Sequence, residues 1–142
     1  GGVMGSISTI GLNDLIEDLS ALAALPDSVI DEMLTAQADI IEPAQRRTMQ
    51  AMWAGPYRTG ATAGAVKRTK IRSGKDGRYL SIYPHGTNAD GNRNAEVAFI
   101  NEFGKRNQPA RPAIDTANKS KTEEAISAAA KVYNAFVESK NL

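Results

Sequence analysis

The chain has 142 residues, a formal net charge of +1, 42% hydrophobic and 23% charged residues, and no cysteine. That length suffices for one hydrophobic core, the balance is that of a folded protein, and disulfide and thiolate chemistry are excluded. No apolar run reaches the roughly 20 residues that a membrane helix needs.

Gly1-Gly2-Val3 reads as a cloning or protease remnant ahead of Met4, which leaves residues 4–142 as a single domain. Leu12, Leu15, Ile16, Leu19, Leu22 and Leu25 then recur at helical spacing, with Asp14, Glu17 and Asp18 on the opposite side and Ser8 or Asn13 available as a cap. A second helix is expected from Pro26-Asp27 or Ser28 to about Ala54, ahead of Gly55-Pro56. Its apolar stripe is Ile30, Met33, Leu34, Gln37, Ile40, Ile41, Ala44, Thr48, Ala51 and Met52. Pro43 lies inside that pattern, so a kink or a break is expected near Ile40–Glu42.

The period changes to two from Ala65. Val66–Arg72 and Arg78–Tyr83 read as strands joined by the five-residue loop Ser73-Gly-Lys-Asp-Gly77, with Leu80 and Ile82 facing one side and Tyr79, Ser81 and Tyr83 the other. Pro84 and residues 85–94 form a polar loop without an apolar anchor, expected to be mobile in a free subunit. A short helix follows from about Asn94 to Phe103, and a long one from about Pro112 to Lys140. The last carries Ile114, Ala117, Ala125, Ile126, Ala129, Val132, Tyr133, Phe136 and Val137 on its buried stripe. The order helix, helix, strand, strand, short helix, long helix has no βαβ alternation. The class is therefore α+β, with long helices packed on a small antiparallel sheet.

Charge is distributed unevenly. Residues 1–42 carry eight acids and no Lys or Arg, whereas residues 43–111 carry thirteen bases and four acids. An acidic helical surface (Asp31, Glu32, Asp39) facing a basic hairpin (Lys67, Arg68, Lys70, Arg72, Lys75, Arg78) can match within one chain or between neighbouring subunits. The six hairpin bases are also candidates for DNA or partner-protein contact, or for guarding an exposed strand edge. Trp53, Tyr57 and Met49 read as packing and capping residues rather than a ligand cage.

Nothing in the chain has the form of a catalytic signature. His85, the single histidine, sits in a Pro-Gly-flanked loop, and Glu96 and Glu102 are six residues apart, too far round a helix to act as an acid–base pair. Phosphate loop, dinucleotide fingerprint, zinc spacing and serine elbow are all missing. The Gly86–Gly91 stretch, with Asn88, Asp90 and Asn92, lacks the acidic ligands and terminal Glu of a calcium loop. No catalytic residue, cofactor or metal is assigned, and a non-enzymatic protein is expected.

Three segments carry a family resemblance. Gly55-Pro56-Tyr-Arg-Thr59-Gly60 links a long helix to a first strand. Ala98-Phe-Ile-Asn-Glu102-Phe103-Gly104 ends a short helix, and Pro109-Ala110-Arg111-Pro112 launches the last helix at Ala113. In this order they resemble a family of tailed-bacteriophage morphogenesis proteins, the tail-component or head–tail neck (tail-completion) proteins, across residues 12–137. The chain departs from the family pattern with Ala113-Ile114 where Phe-Leu is usual, and with Lys105-Arg-Asn-Gln108 where a Thr is common after the glycine. The resemblance implies a virion structural protein of the head–tail junction, assembled in the bacterial cytoplasm. It further implies a homo-oligomeric ring of about six or twelve subunits with a head-to-tail interface, stacked on connector or head-closure and tail-tube or terminator rings. A small DNA-binding or regulatory domain using residues 67–78 is the alternative. Glu102 is expected to fix the turn by pairing with Arg106 or Arg111, or to meet a partner subunit.

Overall fold

The computed structural model of the chain describes residues 9–10, 25–53 and 60–140. Its elements in order are β1 (Thr9–Ile10), α1 (Asp27–Met52), the one-turn α2 (Ala61–Gly64), β2 (Val66–Arg68), β3 (Arg72–Gly74), β4 (Gly77–Pro84), α3 (Asn94–Phe103) and α4 (Ala113–Ser139). The class is α+β, as the period change at Ala65 implies. The expected first helix, its caps Ser8 and Asn13, the segment Gly1–Met4 and the motif residues Pro56, Tyr57 and Thr59 lie outside the described residues. Of that first stripe, Leu25 is described, and it is buried in the core.

Pro26 precedes α1 and its carbonyl accepts from the amides of Val29 and Ile30. Asp27 adds negative charge to a first turn whose amide groups carry partial positive charge. Pro43 does not split the helix, which runs unbroken to Met52. An internal proline costs about 3 kcal/mol in a helix, but Ile41, Ala44 and Gln45 on either side of it are buried, so tertiary packing spans the missing bond. The buried face turns beyond that point. Its row is Ile41, Gln45, Met49 and Trp53, while Thr48, expected inward, bonds back to the Ala44 carbonyl and Ala51 is exposed.

α1 and α4 form the main helix pair. Trp53 at the end of α1 reaches Arg111 just before α4, and Gln45 reaches Asn118 within it, so the two helices run antiparallel. Met33, Leu34 and Met49 on α1 and Ala113, Ala117 and Ala129 on α4 are sealed from solvent. Alanines on α4 admit the larger α1 side chains, and each fully buried Met or Leu contributes about 1.5–3 kcal/mol. Ile126, expected inward, is exposed because it stands one residue past Ala125, about 100° round the helix. Gln37 is buried, and its Nε2 has no partner among the described residues.

β4 is the central strand. β1 pairs with it antiparallel on one side (Thr9 opposite Ser81, Ile10 opposite Leu80), a strand that the sequence pattern did not indicate. β2 and β3 pair with it in succession, with Val66 opposite Pro84, Arg68 opposite Ile82, Arg72 opposite Tyr79 and Gly74 opposite Gly77. The expected strand Val66–Arg72 is therefore interrupted. Between the Arg68 and Arg72 pairs, residues 69–71 face only Leu80 and Ser81, a bulge of one residue. Thr69 fills it: its amide donates to the Ser81 carbonyl, and its hydroxyl accepts from the Ser81 amide. The expected five-residue loop contracts to Lys75-Asp76 between the paired glycines. Leu80, Ile82 and Val66 are buried on the inner face, as alternation requires.

Residues 85–94 are held by polar contacts in place of an apolar anchor. The Asn88 carboxamide accepts from the amides of Asp90 and Asn92, Asn94 Nδ2 donates to the His85 carbonyl, and the Asn94 amide donates to the Gly86 carbonyl. His85 stacks on Tyr83 with ring centroids 4.1 Å apart.

Candidate functional site

The segment that links α3 to α4 is a densely bonded junction. Glu102, at the end of α3, is 3% exposed, and its two carboxylate oxygens accept from the amides of Ile114 (2.7 Å) and Asp115 (2.9 Å). These amides open α4 and have no carbonyl partner within the helix, so Glu102 supplies the cap that α4 lacks locally. Neither Arg106 nor Arg111 pairs with it. A carboxylate satisfied by two amides and the positive end of a helix needs no guanidinium. Burial nevertheless holds the Glu102 carboxyl above its ordinary value, outweighing the two amide bonds that would lower it.

Arg111 turns instead to Asn101. The Asn101 side-chain oxygen accepts from Arg111 Nη2 at 2.6 Å and from Gln108 Nε2 at 3.1 Å, and its carbonyl accepts from the Arg111 amide. Trp53 closes the junction by donating its indole N–H to the Arg111 carbonyl at 2.8 Å. Trp53 is thus core packing, as expected, with a polar bond added. Gly104 ends α3 with φ 77° and ψ 177°. Its φ is positive, as expected of a closing glycine, but ψ is extended, a combination open essentially to glycine alone. A Cβ there would stand 2.7 Å from the Gln108 carbonyl oxygen and 2.8 Å from the Ala110 nitrogen. Pro112 precedes the first turn of α4 rather than lying within it. Gly60, at φ 77° and ψ 5°, is left-handed and redirects the chain into α2, a turn that the sequence pattern had placed directly before the sheet. Pro109 and Ala110 are exposed.

The basic hairpin is clamped to α1 by two arginines. Arg78 makes a bidentate pair with Asp31 (Nη2–Oδ2 2.8 Å) and lies 3.7 Å from Asp27. Arg68 bonds both oxygens of Glu42 and pairs with Asp39 at 2.7 Å, while its amide donates to Glu42 Oε1. Bonds to Asp31 raise the Arg78 pKa further above its already high value. For Arg68 partial desolvation pulls downward, and the bonds to Glu42 and Asp39 overcome it. Two of the three acids named as candidate subunit contacts, Asp31 and Asp39, are therefore engaged inside the chain, and Glu32 is exposed.

Lys67, Lys70, Arg72 and Lys75 remain, all exposed and with no ion pair among the described residues. Lys67 stands opposite Tyr83 and Arg72 opposite Tyr79, so both lie on the outer face of the sheet. A separate apolar corner is exposed on α3, where Phe99 (39%) and Phe103 (52%) pack together at 4.8 Å beside Ile100. Phe103 was named from the sequence as part of the motif, whereas Asn101 and Phe99 were not singled out, although both lie within the same segment.

Among the described residues no group of three or more His, Cys, Asp and Glu side chains could hold a metal ion, and no helix is long and apolar enough to cross a membrane. Comparison of the chain with protein-family models, with curated proteins and with solved structures gives no match.

Proposed function

We propose that this chain is a non-enzymatic structural subunit of a bacteriophage head–tail junction, acting in neck or tail assembly by forming or joining a homo-oligomeric ring. The observation that carries this reading is the convergence of the motif residues. Glu102, Gly104 and Arg111, spread along the α3–α4 segment, are all consumed in building one buried joint. Such a segment fixes the angle between two helices, which suits a part that presents surfaces. The exposed corner of Phe99, Ile100 and Phe103 beside the joint is the surface most suited to a neighbouring subunit, because apolar patches of this kind favour burial. Against a small DNA-binding or regulatory domain, Arg68 and Arg78 are turned into the chain and only four of the six hairpin bases stay available.

Light scattering across a concentration series, with negative-stain images, tests the reading. A discrete ring that Phe99→Ser with Phe103→Asp reduces to monomer would support it. A chain that stays monomeric alone, and also in the presence of isolated connector and tail-terminator rings, would count against it.

A further inference from the structure

We propose that the outer face and tip of the β2–β3–β4 hairpin form a sequence-independent binding surface for the phosphate backbone of duplex DNA. Two independent observations point there. First, the fold sorts the six hairpin bases by partner: Arg68 and Arg78 meet Asp39, Glu42, Asp31 and Asp27 on α1, whereas Lys67 and Arg72 on the outer face, Lys70 in the bulge and Lys75 at the tip meet no acid among the described residues. Four of the five acids of α1 are thereby engaged by these two arginines, Glu32 being the exception, and the other four hairpin bases are left unneutralised. The one acid in the hairpin itself is Asp76 at the turn, and Asp90 lies in the neighbouring loop.

Second, the outer face is stiffened. The Tyr83 ring stacks on His85 at 13°, His85 Nε2 donates to the Lys67 carbonyl, and the Tyr79 ring lies against Gly74, where a Cβ would come within 2.8 Å of it. Four cations are thus carried on a ribbon with a fixed shape, so little backbone ordering is spent on binding. The same contacts decide the form of nucleic acid. Both tyrosine rings already have a neighbour, so they are poorly placed to stack unpaired bases as a single-strand platform does. What remains is point charge, which gains most from a duplex carrying one phosphate charge per roughly 1.7 Å of axis. Edge protection alone would also put lysines on β2–β3, and it predicts no affinity for DNA.

The test is fluorescence anisotropy of the intact chain with a mixed-sequence duplex and with the matching single strand. Neutralising about four phosphates makes affinity for the duplex fall about 100-fold between roughly 50 and 200 mM salt. Combined reversal, Lys67→Glu, Lys70→Glu, Arg72→Glu and Lys75→Glu, abolishes binding at the lower salt. Arg47→Glu with Lys131→Glu, exposed bases on the long helices, leaves it intact. Circular dichroism of each variant confirms the fold. The proposal is overturned by absence of binding at low salt, by binding that survives the fourfold reversal, or by tighter binding of the single strand. Polyglutamate competing as well as DNA would also overturn it and assign the surface to an acidic protein partner. Ring formation is read separately by light scattering, so the two proposals fail independently.

Discussion

Glu102 Oε1 lies 2.7 Å from the amide nitrogen of Ile114, so the last turn of one helix caps the first turn of the next. No side chain of α4 caps its own N-terminus. Glu102→Ala removes the acceptor for two amides in a site closed to water and is expected to destabilise the chain by about 2–4 kcal/mol. Urea unfolding measures it. A loss below about 0.5 kcal/mol would mean that water replaces the carboxylate.

The pH dependence of that cap has a definite sign. Burial raises the Glu102 carboxyl above its ordinary value, so in the window between the two values the folded chain holds more proton than the unfolded one. Stability from this group therefore falls as pH rises through the window and is constant above it. The difference in unfolding free energy between the wild type and Glu102→Gln should decline over the same range, since Gln does not titrate. A difference that grows with pH there would reverse the assignment.

Arg78 and Asp31 join the hairpin to α1. Single reversals Arg78→Asp and Asp31→Arg should each lower the melting temperature, and the double exchange should recover part of the loss. Thermal unfolding at low and high salt reads both effects, with the recovery shrinking as salt rises. Additive losses in the double variant would show that the pair is not coupled.

Gly104→Ala forces a side chain into a backbone region reserved for glycine and against the Gln108 carbonyl. The expected loss is about 2–4 kcal/mol, larger than for an ordinary glycine replacement. Gly64→Ala, with open space around its Cβ, is the control and should change little.

Much of this architecture was legible in the sequence. Periodicity located α1, α3 and α4 to within about two residues and named the inner pair Leu80 and Ile82. What escaped it has physical reasons. The sequence pattern showed that acids and bases would meet but not which ones, since that depends on a bulge at 69–71 that no composition rule marks. It placed Glu102 at the joint and gave it an arginine, because charges are visible in a sequence and the free amides of a helix start are not. Beyond Pro43 the buried stripe moved by one position, since the contact with α4 outweighed the count of apolar residues that favoured Thr48 and Ala51.

The surplus residue in the 69–71 bulge also works as a parity device. In an unbroken strand, positions 68 and 72 would point the same way; here one arginine is folded into the carboxylates of α1 and the other faces water. Were the ladder to run on from Arg68 without the bulge, residue 72 would stand opposite Arg78 and turn inward, leaving the outer face a cation poorer. The electrostatic character of that side of the molecule is thus written in the register of strand pairing as much as in residue type.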